Sequence, residues 1–529
     1  MKTQSTSMPE MPAALEVLAI DWVERHALQS PNALAQFDVA SDRRFTFREM
    51  NDRVGRVAAS LKALGIKPGD RVGYLLQNSS DILEIMCGCW RIGAICLALN
   101  FRLIPSELEF LIGDAEPKAV FFDTDFAATA DELMGVTAVE HWIETDGVGG
   151  DTPYEHMLAA AVPILRKEID QPLTDICLLM HSSGTTGRPK GVIITHQMMF
   201  YSALNVGLRA RITNRCVNLA MMPLFHIGAI NGFTFPALYF GAANVIQRVF
   251  DPEVTLDLFD DRQIGITHFL AVPAAFNAMR DHPKSATTDF GTIQVAVSGA
   301  ETVPDTLVEW WLGRGVFVQE AYGMTETAAG ISILEREDLP EKIGSAGRAL
   351  MHIEVKAVRM DGTNMDADPG ELGELWMRGA SVTPGYWNRP DANEECFVDG
   401  WLRSGDIGYL DADDYIYIED RLKDMYISGG ENVYPAEIEN VLYQMEQIAE
   451  VAVVGVPDEK WGEVGCAAAV LQNGAQLSAS DLAEYCAGKL ARYKVPAKLI
   501  TLDELPRNGA GKVLKPQLRA LVNERLAGN

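Results

Sequence analysis

Residues 181–191 read HSSGTTGRPKG, with three glycines, five hydroxyl or imidazole side chains and a cationic end at Arg188 and Lys190. The stretch directly follows the apolar run Ile176-Cys177-Leu178-Leu179-Met180. A strand that stops at a glycine-rich turn aims backbone N–H groups at an anion, because glycine lets the backbone come close and take up positive φ. Ser182, Ser183, Thr185 and Thr186 add hydroxyl donors for several phosphate oxygens. Gly184 and Gly187 are three apart and Lys190 is followed by Gly191 and Val192, so this is not a Walker loop, which places Ser or Thr after its lysine. Taken alone, the same residues also suit a solvated turn between strands.

A chain of 529 residues is too long for one core and implies roughly two to four domains or subdomains. Its formal net charge of −28 argues against non-specific binding to nucleic acid or to anionic membranes. An anionic ligand must therefore meet a local cationic pocket. The eight cysteines are scattered, and the nearest pair, Cys87 and Cys89, has no neighbouring His or second CxxC, so a zinc site is not indicated. A reduced, cytoplasmic setting fits. The N-terminal MKTQSTSMPEMPAALEV has no signal-peptide apolar core, and the most apolar long segment, NGFTFPALYFGAANVI (231–246), is short for a membrane span and carries Pro236. It reads as a buried core element.

Along the first two thirds, strand patterns such as RVGYLLQ (71–77) and AICLALN (94–100) alternate with helical patterns such as SSDILEIMCGCWRIG (79–93). That alternation implies parallel sheets covered by helices. From about residue 345 to 420 the texture becomes short segments with many turns, the mark of a small β-rich subdomain. Beyond 423 it changes again: AEVAVVGVPD and CAAAVLQ read as strands, and Ser478 with Asp481 forms a partial capping box before an amphipathic helix. The fold expected is α/β, with a large N-terminal domain (1–422) of two doubly wound sheets plus the β-rich subdomain. A small, mobile α+β C-terminal domain (423–529) follows.

Several further clusters sit at the ends of these strands, where open α/β sheets bind ligands. QEAYGMTET (319–327) offers Tyr322 as a flat ring, Thr325 as a hydroxyl and Glu326 as a carboxylate. A carboxylate beside a polyphosphate needs a cation between them, which makes Glu326 a candidate Mg²⁺ ligand; alone, the motif equally suits a helix start. WLRSGDIG (401–408) places Asp406 after a glycine, suited to accept from a ribose diol. DRLKDM (420–425) sits at the domain junction, and PRNGAGKVLK (506–515) presents Lys512 on a glycine-flanked turn.

Together and in this order, SSGTTGRPKG, MPLFH, YGMTE, WLRSGD, DRLKDM and NGAGK resemble the motifs of the adenylate-forming superfamily of acyl-CoA synthetases, luciferases and peptide-synthetase adenylation domains. The resemblance runs from roughly residue 20 to 520, and RLKDMYISGGENVYPAEIE is most similar in texture to bacterial fatty-acyl and aryl-CoA ligases. It implies an ATP- and Mg²⁺-dependent ligase that makes an acyl-adenylate and then a CoA thioester, releasing pyrophosphate and AMP. Ser182, Ser183, Gly184, Thr185, Thr186, Gly187 and Lys190 would clasp the β- and γ-phosphates, with Thr325 orienting them. Tyr322, Gly323 and Met324 would meet adenine beside Gly299, Ala300 and Glu301, while Asp406 and Arg421 take the ribose. Lys512 would bridge carboxylate and α-phosphate, Lys423 would be the hinge of domain rotation, and Gly429, Gly430 and Trp461 would line the pantetheine route, gated by His226.

The acid is less determined. Gly228, Ala229, Gly232, Gly299, Gly323 and Ala328 leave no bulky plug near the carboxylate end, and no charged residue stands out to read a charged acid. This favours a medium or long aliphatic chain, or an aryl or arylpropenoic acid, over acetate; the texture of the sequence favours a medium or long-chain fatty acid, with an aryl or arylpropenoic acid as the alternative. An acyl-AMP ligase loading a carrier protein, a luciferase-like oxygenase and a non-catalytic nucleotide-binding regulator are further readings. Dimers are frequent in the superfamily, yet no self-complementary stripe stands out.

Overall fold

The computed structural model describes residues 17–182, 189–300, 303–421, 423–428, 431–458, 460–487, 489–507 and 512–527. A six-stranded sheet orders His141–Thr145, Ala119–Asp123, Arg71–Leu75, Ile95–Ala98, Ile176–Ser182 and Lys190–Thr195. Its first five strands are parallel and the last is antiparallel. The short stretch between Ser182 and Lys190 explains this, since a parallel neighbour needs a crossover of about a dozen residues or more.

A nine-stranded sheet runs Arg348–Ala349, Ala329–Ile333, Val318–Met324, Val295–Gly299, His268–Ala271, Val217–Ala220, Ala243–Ile246, Leu34–Asp38 and Arg43–Thr46. Its six central strands are parallel. The outer pairs are antiparallel, so both sheets are doubly wound at the centre and mixed at their edges.

Two helices pack between these sheets. Phe47–Ala63 opens with a capping box in which Glu49 N–H donates to Thr46 Oγ1 at 3.3 Å and Thr46 N–H donates to Glu49 Oε2 at 2.8 Å, an arrangement worth about 1 kcal/mol. Phe47, Met50, Val54, Val57 and Leu61 recur at three- and four-residue spacing and are all buried. Ser80–Arg91 is buried on nearly every side, because its core includes Ala35, Ala220 and Ile246 of one sheet and Tyr74, Ala98 and Leu178 of the other. The two helices approach so closely that a Cβ on Gly88 would stand 2.6 Å from Val57 Cγ1.

The β-rich subdomain is an antiparallel sheet of Ile353–Val358, Gly373–Gly379, Phe397–Val398, Trp401–Leu410 and Ile416–Arg421. The last sheet combines Tyr426–Ser428, Glu431–Val433, Ile448–Asp458, Gly462–Leu471 and Lys498–Thr501. Its strands alternate, with Val451, Val453, Ala467 and Ala469 packing under Pro435–Leu442 and Ala479–Cys486. Ala452, Val454, Cys466 and Ala468 pack on the other side under Lys515–Ala527. The expected capping box of Ser478 and Asp481 is present and opens the helix Ala479–Cys486. The molecule is thus α/β, with a large N-terminal domain and a smaller C-terminal one.

Candidate active site

Strand ends of the two large sheets meet where the glycine-rich loop leaves and returns. Ser182 closes one strand and Lys190 opens its antiparallel partner, in register with each other. Ser183, Gly184, Thr185, Thr186 and Gly187 lie outside the described residues. Across from this pair, the strand Val318–Met324 ends in the tight turn Thr325–Thr327. Ser182 Oγ donates to Glu326 Oε1 at 3.4 Å, and Tyr386 Oη donates to the same oxygen at 3.0 Å. The Lys190 ammonium lies 5.1 Å from the centre of the Tyr386 ring, and all three partners, Glu326, Tyr386 and Lys190, are buried. Burial and the neighbouring Glu326 charge push the Tyr386 hydroxyl far up, so it stays a donor at every physiological pH. One Glu326 oxygen is thereby fixed by two hydroxyls.

The segment carrying Tyr386 is laced to the same strand. Ile193 N–H donates to Gly385 O at 3.1 Å, Trp387 N–H to Gly191 O at 2.7 Å, and Thr383 N–H to Glu326 O at 2.7 Å. Thr383 Oγ1 also donates to Ile193 O at 2.6 Å. Chain from three distant parts of the sequence is held as one ledge around Glu326.

Several of the residues expected to read the nucleotide come together beside it. Tyr322 Oη donates to Asp406 Oδ2 at 2.6 Å in a buried contact. Gly405, at φ +70°, interrupts its ladder, and Asp406 N–H turns back onto Ser404 Oγ at 2.9 Å, a local irregularity that turns Asp406 toward the nine-stranded sheet. Arg421 faces Asp406 in register, and its side chain lies outside the description. Gly299 pairs with Ala321, and Ala300 takes φ +71° directly after its strand; Glu301 is outside the described residues. Gly323 and Met324 close the Tyr322 strand.

His226 stands at the start of the short helix Ile227–Ala229, its ring 4.4 Å from that of Phe225. Asn78 of the six-stranded layer holds the stretch before it. Its Oδ1 accepts from Leu224 N–H at 2.8 Å, and its Nδ2 donates to Met222 O at 2.9 Å and Gln247 O at 3.1 Å. Tyr74 Oη adds a bond to Leu224 O at 2.9 Å. Past His226 lies a narrow cleft, lined by Asn218, Met221, Gly228, Ala229, Phe233 and Leu270 among others.

The small residues expected to leave this region open do so unequally. A Cβ at Gly228 would meet nothing within 4 Å, whereas Gly232 is pressed against Leu270 Cδ1, Gly299 against Ala321 O, and Gly323 against Ala329 O. The last two are glycines because backbone packs on them, and only Gly228 borders free space.

In the C-terminal part, Lys423 is exposed in a turn just after Ile416–Arg421. Trp461 is half exposed with the Lys460 ammonium 4.6 Å from its ring centre, and it precedes Gly462, which pairs with Ser428. Gly429 and Gly430 lie outside the described residues. Lys512 is partly buried and directly precedes Val513, which bridges back to Arg507, and the helix Lys515–Ala527 follows.

Tyr386, Thr383 and Asn78 were not legible as site residues. Each acts on a partner more than 50 residues away, and a local pattern such as PGYW carries no trace of Glu326. The expected ligand, the Glu326 carboxylate, is an oxygen donor, which fits Mg²⁺. Among the described residues no group of three or more His, Cys, Asp or Glu is arranged to hold a metal alone, so phosphates would complete such a site. No helix among them is long and apolar enough to cross a membrane.

Residues 23–387 match the family described as AMP-binding enzyme, and residues 437–512 match the AMP-binding enzyme C-terminal domain. The chain is 36% identical over 503 residues to a feruloyl-CoA synthase of Amycolatopsis sp, covering 94% of this chain and 98% of that protein. It is 37% identical over 506 residues to the long-chain-fatty-acid–CoA ligase FadD13 of Mycobacterium tuberculosis, covering 94% and 98%. Among solved structures it resembles the o-succinylbenzoate CoA synthetase MenE of Bacillus subtilis in complex with its acyl-adenylate intermediate, at TM-score 0.85, 33% identity and coverage of 95% and 98%. The same enzyme with ATP and magnesium ion gives TM-score 0.84, 32% identity and coverage of 95% and 100%.

Proposed function

The chain belongs to the AMP-binding enzymes and is an AMP-forming acid–CoA ligase; from that premise we propose how its residues divide the work and what kind of acid it takes. The observation that carries the proposal is the ledge on which Ser182, Lys190, Tyr386 and Glu326 converge beside the Tyr322–Asp406 pair.

A carboxylate acylates poorly at neutral pH because oxide is its leaving group. The remedy is attack of the carboxylate on the α-phosphorus of ATP, which expels pyrophosphate and leaves an acyl-adenylate. Two like charges about 4 Å apart repel by about 4 kcal/mol at an effective dielectric near 20, so cations must offset the approach. Lys512 takes that place between carboxylate and α-phosphate, and Lys190 with the loop 182–187 holds the departing phosphates. Mg²⁺, when bound with ATP at Glu326, supplies charge neutralisation of the phosphates, which Thr325 helps orient. Tyr322 packs adenine with Gly299 and Ala300 alongside, and Asp406 with Arg421 orients the ribose. Tyr386 keeps the Glu326 carboxylate aimed.

CoA thiol then attacks the acyl carbonyl and AMP leaves. Lys512 has no task in this step, and rotation of the C-terminal domain about Lys423 withdraws it while Gly429, Gly430 and Trp461 come to the pantetheine. His226 gates the passage between thiol and acyl cleft.

The cleft wall carries no ionisable side chain, which supports an acid with an uncharged, largely apolar body. A medium or long fatty chain and an aryl or arylpropenoic body both meet that description. The test is a competition assay with purified protein, ATP, Mg²⁺, CoA and a mixed panel of aliphatic and aromatic acids, with thioesters identified by mass spectrometry. One dominant acyl-CoA is expected. AMP and pyrophosphate without any thioester would reject CoA as the acceptor and make a carrier protein the candidate.

A further inference from the structure

Beneath the acyl cleft, the nine-stranded sheet carries a row of polar side chains where aliphatic ones would be expected. Parallel pairing sets Gln36 beside Asn244, Asn244 beside Asn218, and Asn218 beside His268, so all four face the same side of the sheet. All four are buried, and a buried amide is tolerated only if its hydrogen bonds are made.

The orientation of these amides follows from one backbone group. Asn244 donates its Nδ2 to the carbonyl of Thr234 at 3.1 Å, and a carbonyl can only accept, so Asn244 Oδ1 is left facing Asn218. Asn218 must answer with its Nδ2, at 2.8 Å. The atom of Asn218 that remains is therefore the acceptor Oδ1, which has no hydrogen-bond partner among the described residues although Asn218 is 2% exposed. His268 does not supply one: its Nε2 lies 2.9 Å from Ala210 O and its Nδ1 2.8 Å from Thr267 Oγ1.

Asn218 lines the cleft with Gly228, Ala229, Thr234 and Leu270. It lies upstream of Met222, the first residue of MPLFH, by roughly 13 Å along an extended chain. Chemistry in such sheets takes place at the C-terminal strand ends, so Asn218 sits toward the end of the cleft remote from the carboxylate.

We propose that Asn218 Oδ1 is a specificity subsite that accepts a hydrogen bond from a donor at the far end of the acyl group, so that the substrate is an acid bearing a distal hydroxyl or N–H. The proposal rests on the acid–CoA ligase reading and on the cleft past His226 holding the acyl group. An acid with a bare hydrocarbon end leaves the acceptor buried and unmatched, whereas a donor completes the chain Thr234–Asn244–Asn218. A hydroxyaryl acid and an ω-hydroxy fatty acid share this chemistry.

The test uses the full chain with ATP, Mg²⁺ and CoA, and reads pyrophosphate release and thioester separately. The probes are 4-hydroxycinnamate, cinnamate and 4-methoxycinnamate in one arm, and 10-hydroxydecanoate against decanoate in the other. In at least one arm the hydroxylated acid should exceed its parent in kcat/KM by roughly 10- to 100-fold, and the arm that does so identifies the source. The methoxy acid keeps the oxygen but lacks the donor, and it should fall with the parent. Asn218→Leu, checked for folding by thermal unfolding, should bring the ratio close to one. Equal kcat/KM within about two-fold in both arms, or an Asn218→Leu enzyme that discriminates as the wild type does, overturns the proposal. Should that variant fail to fold, the hydroxy-to-methoxy ratio of the wild type decides. Pyrophosphate without thioester would remove CoA as acceptor, while the acid preference would still be read from pyrophosphate. No pyrophosphate with any acid would remove both.

Discussion

At the proposed phosphate end of the site, Ser182 and Tyr386 reach one Glu326 carboxylate oxygen by hydroxyl contacts of 3.4 and 3.0 Å, and the Lys190 ammonium lies over the Tyr386 ring. In the cleft past His226, the wall is Met221, Phe233 and Leu270, with Gly228 bordering free space and one amide at depth. The contrast follows from what each end must do. Charge chemistry is accelerated by donors fixed in advance, whereas an apolar body is held by shape. Substitutions at the first end should act on kcat whatever the acid, and those at the second should change KM and acid choice.

The largest effect expected is for Lys512→Ala. It should lower acyl-adenylate formation by roughly 10³-fold with every acid while sparing thioester formation from a supplied acyl-adenylate. Pyrophosphate exchange and a half-reaction assay measure the two steps. An equal fall in both would break the division of labour between the two conformations.

Next is Gly228→Leu. The side chain would enter the open space beside the cleft and should raise KM for the preferred acid by roughly 100-fold, leaving kcat for a short acid such as propanoate nearly unchanged. A uniform loss over all acid lengths would mean that Gly228 shapes the ledge as well as the cleft, and the comparison would fail there.

The same two ends differ in how far the sequence betrayed them. The proposed phosphate end is written in contiguous motifs: YGMTE and WLRSGD each occupy one turn or strand end, and SSGTTG is an unbroken run in the sequence. The alternation of strand and helix likewise declared the sheets. What stayed hidden depends on pairing between distant strands: the Asn218–Asn244 contact exists because two parallel strands happen to be in register. Gly299 and Gly323 misled for the related reason that a glycine at a strand end looks the same whether it faces a ligand or another backbone.

Tyr386→Phe sharpens the contrast from the charged side. It removes one of the two hydroxyls seen on Glu326 Oε1 among the described residues, without altering the ring over which Lys190 lies. The expected result is a fall in kcat of roughly 10-fold for all acids and a higher Mg²⁺ concentration for half-maximal rate, measured by Mg²⁺ titration. No change in either quantity would reduce Tyr386 to a packing residue.

The smallest effect concerns Glu320, one strand length before Glu326, where the surroundings of a carboxyl are inverted. Glu320 receives the N–H of Gly344 at 2.8 Å, and burial raises its pKa from the ordinary 4.5 to about 8. The folded state therefore holds this proton more tightly than the unfolded chain does. Its contribution to stability is fully present below about pH 4.5 and is lost as pH rises through about 8. Glutamine copies the protonated form, keeping an acceptor for Gly344 with no proton to lose. Thermal unfolding of Glu320→Gln should match the wild type near pH 5 and exceed it by roughly 2–4 °C at pH 9, with adenylation kinetics at pH 7 little altered. Parallel pH curves for the two proteins would show that Glu320 is ionised in the fold. Its desolvation would then be met by groups other than Gly344, and a buried carboxyl beside this strand end would not need hydroxyl donors such as those on Glu326.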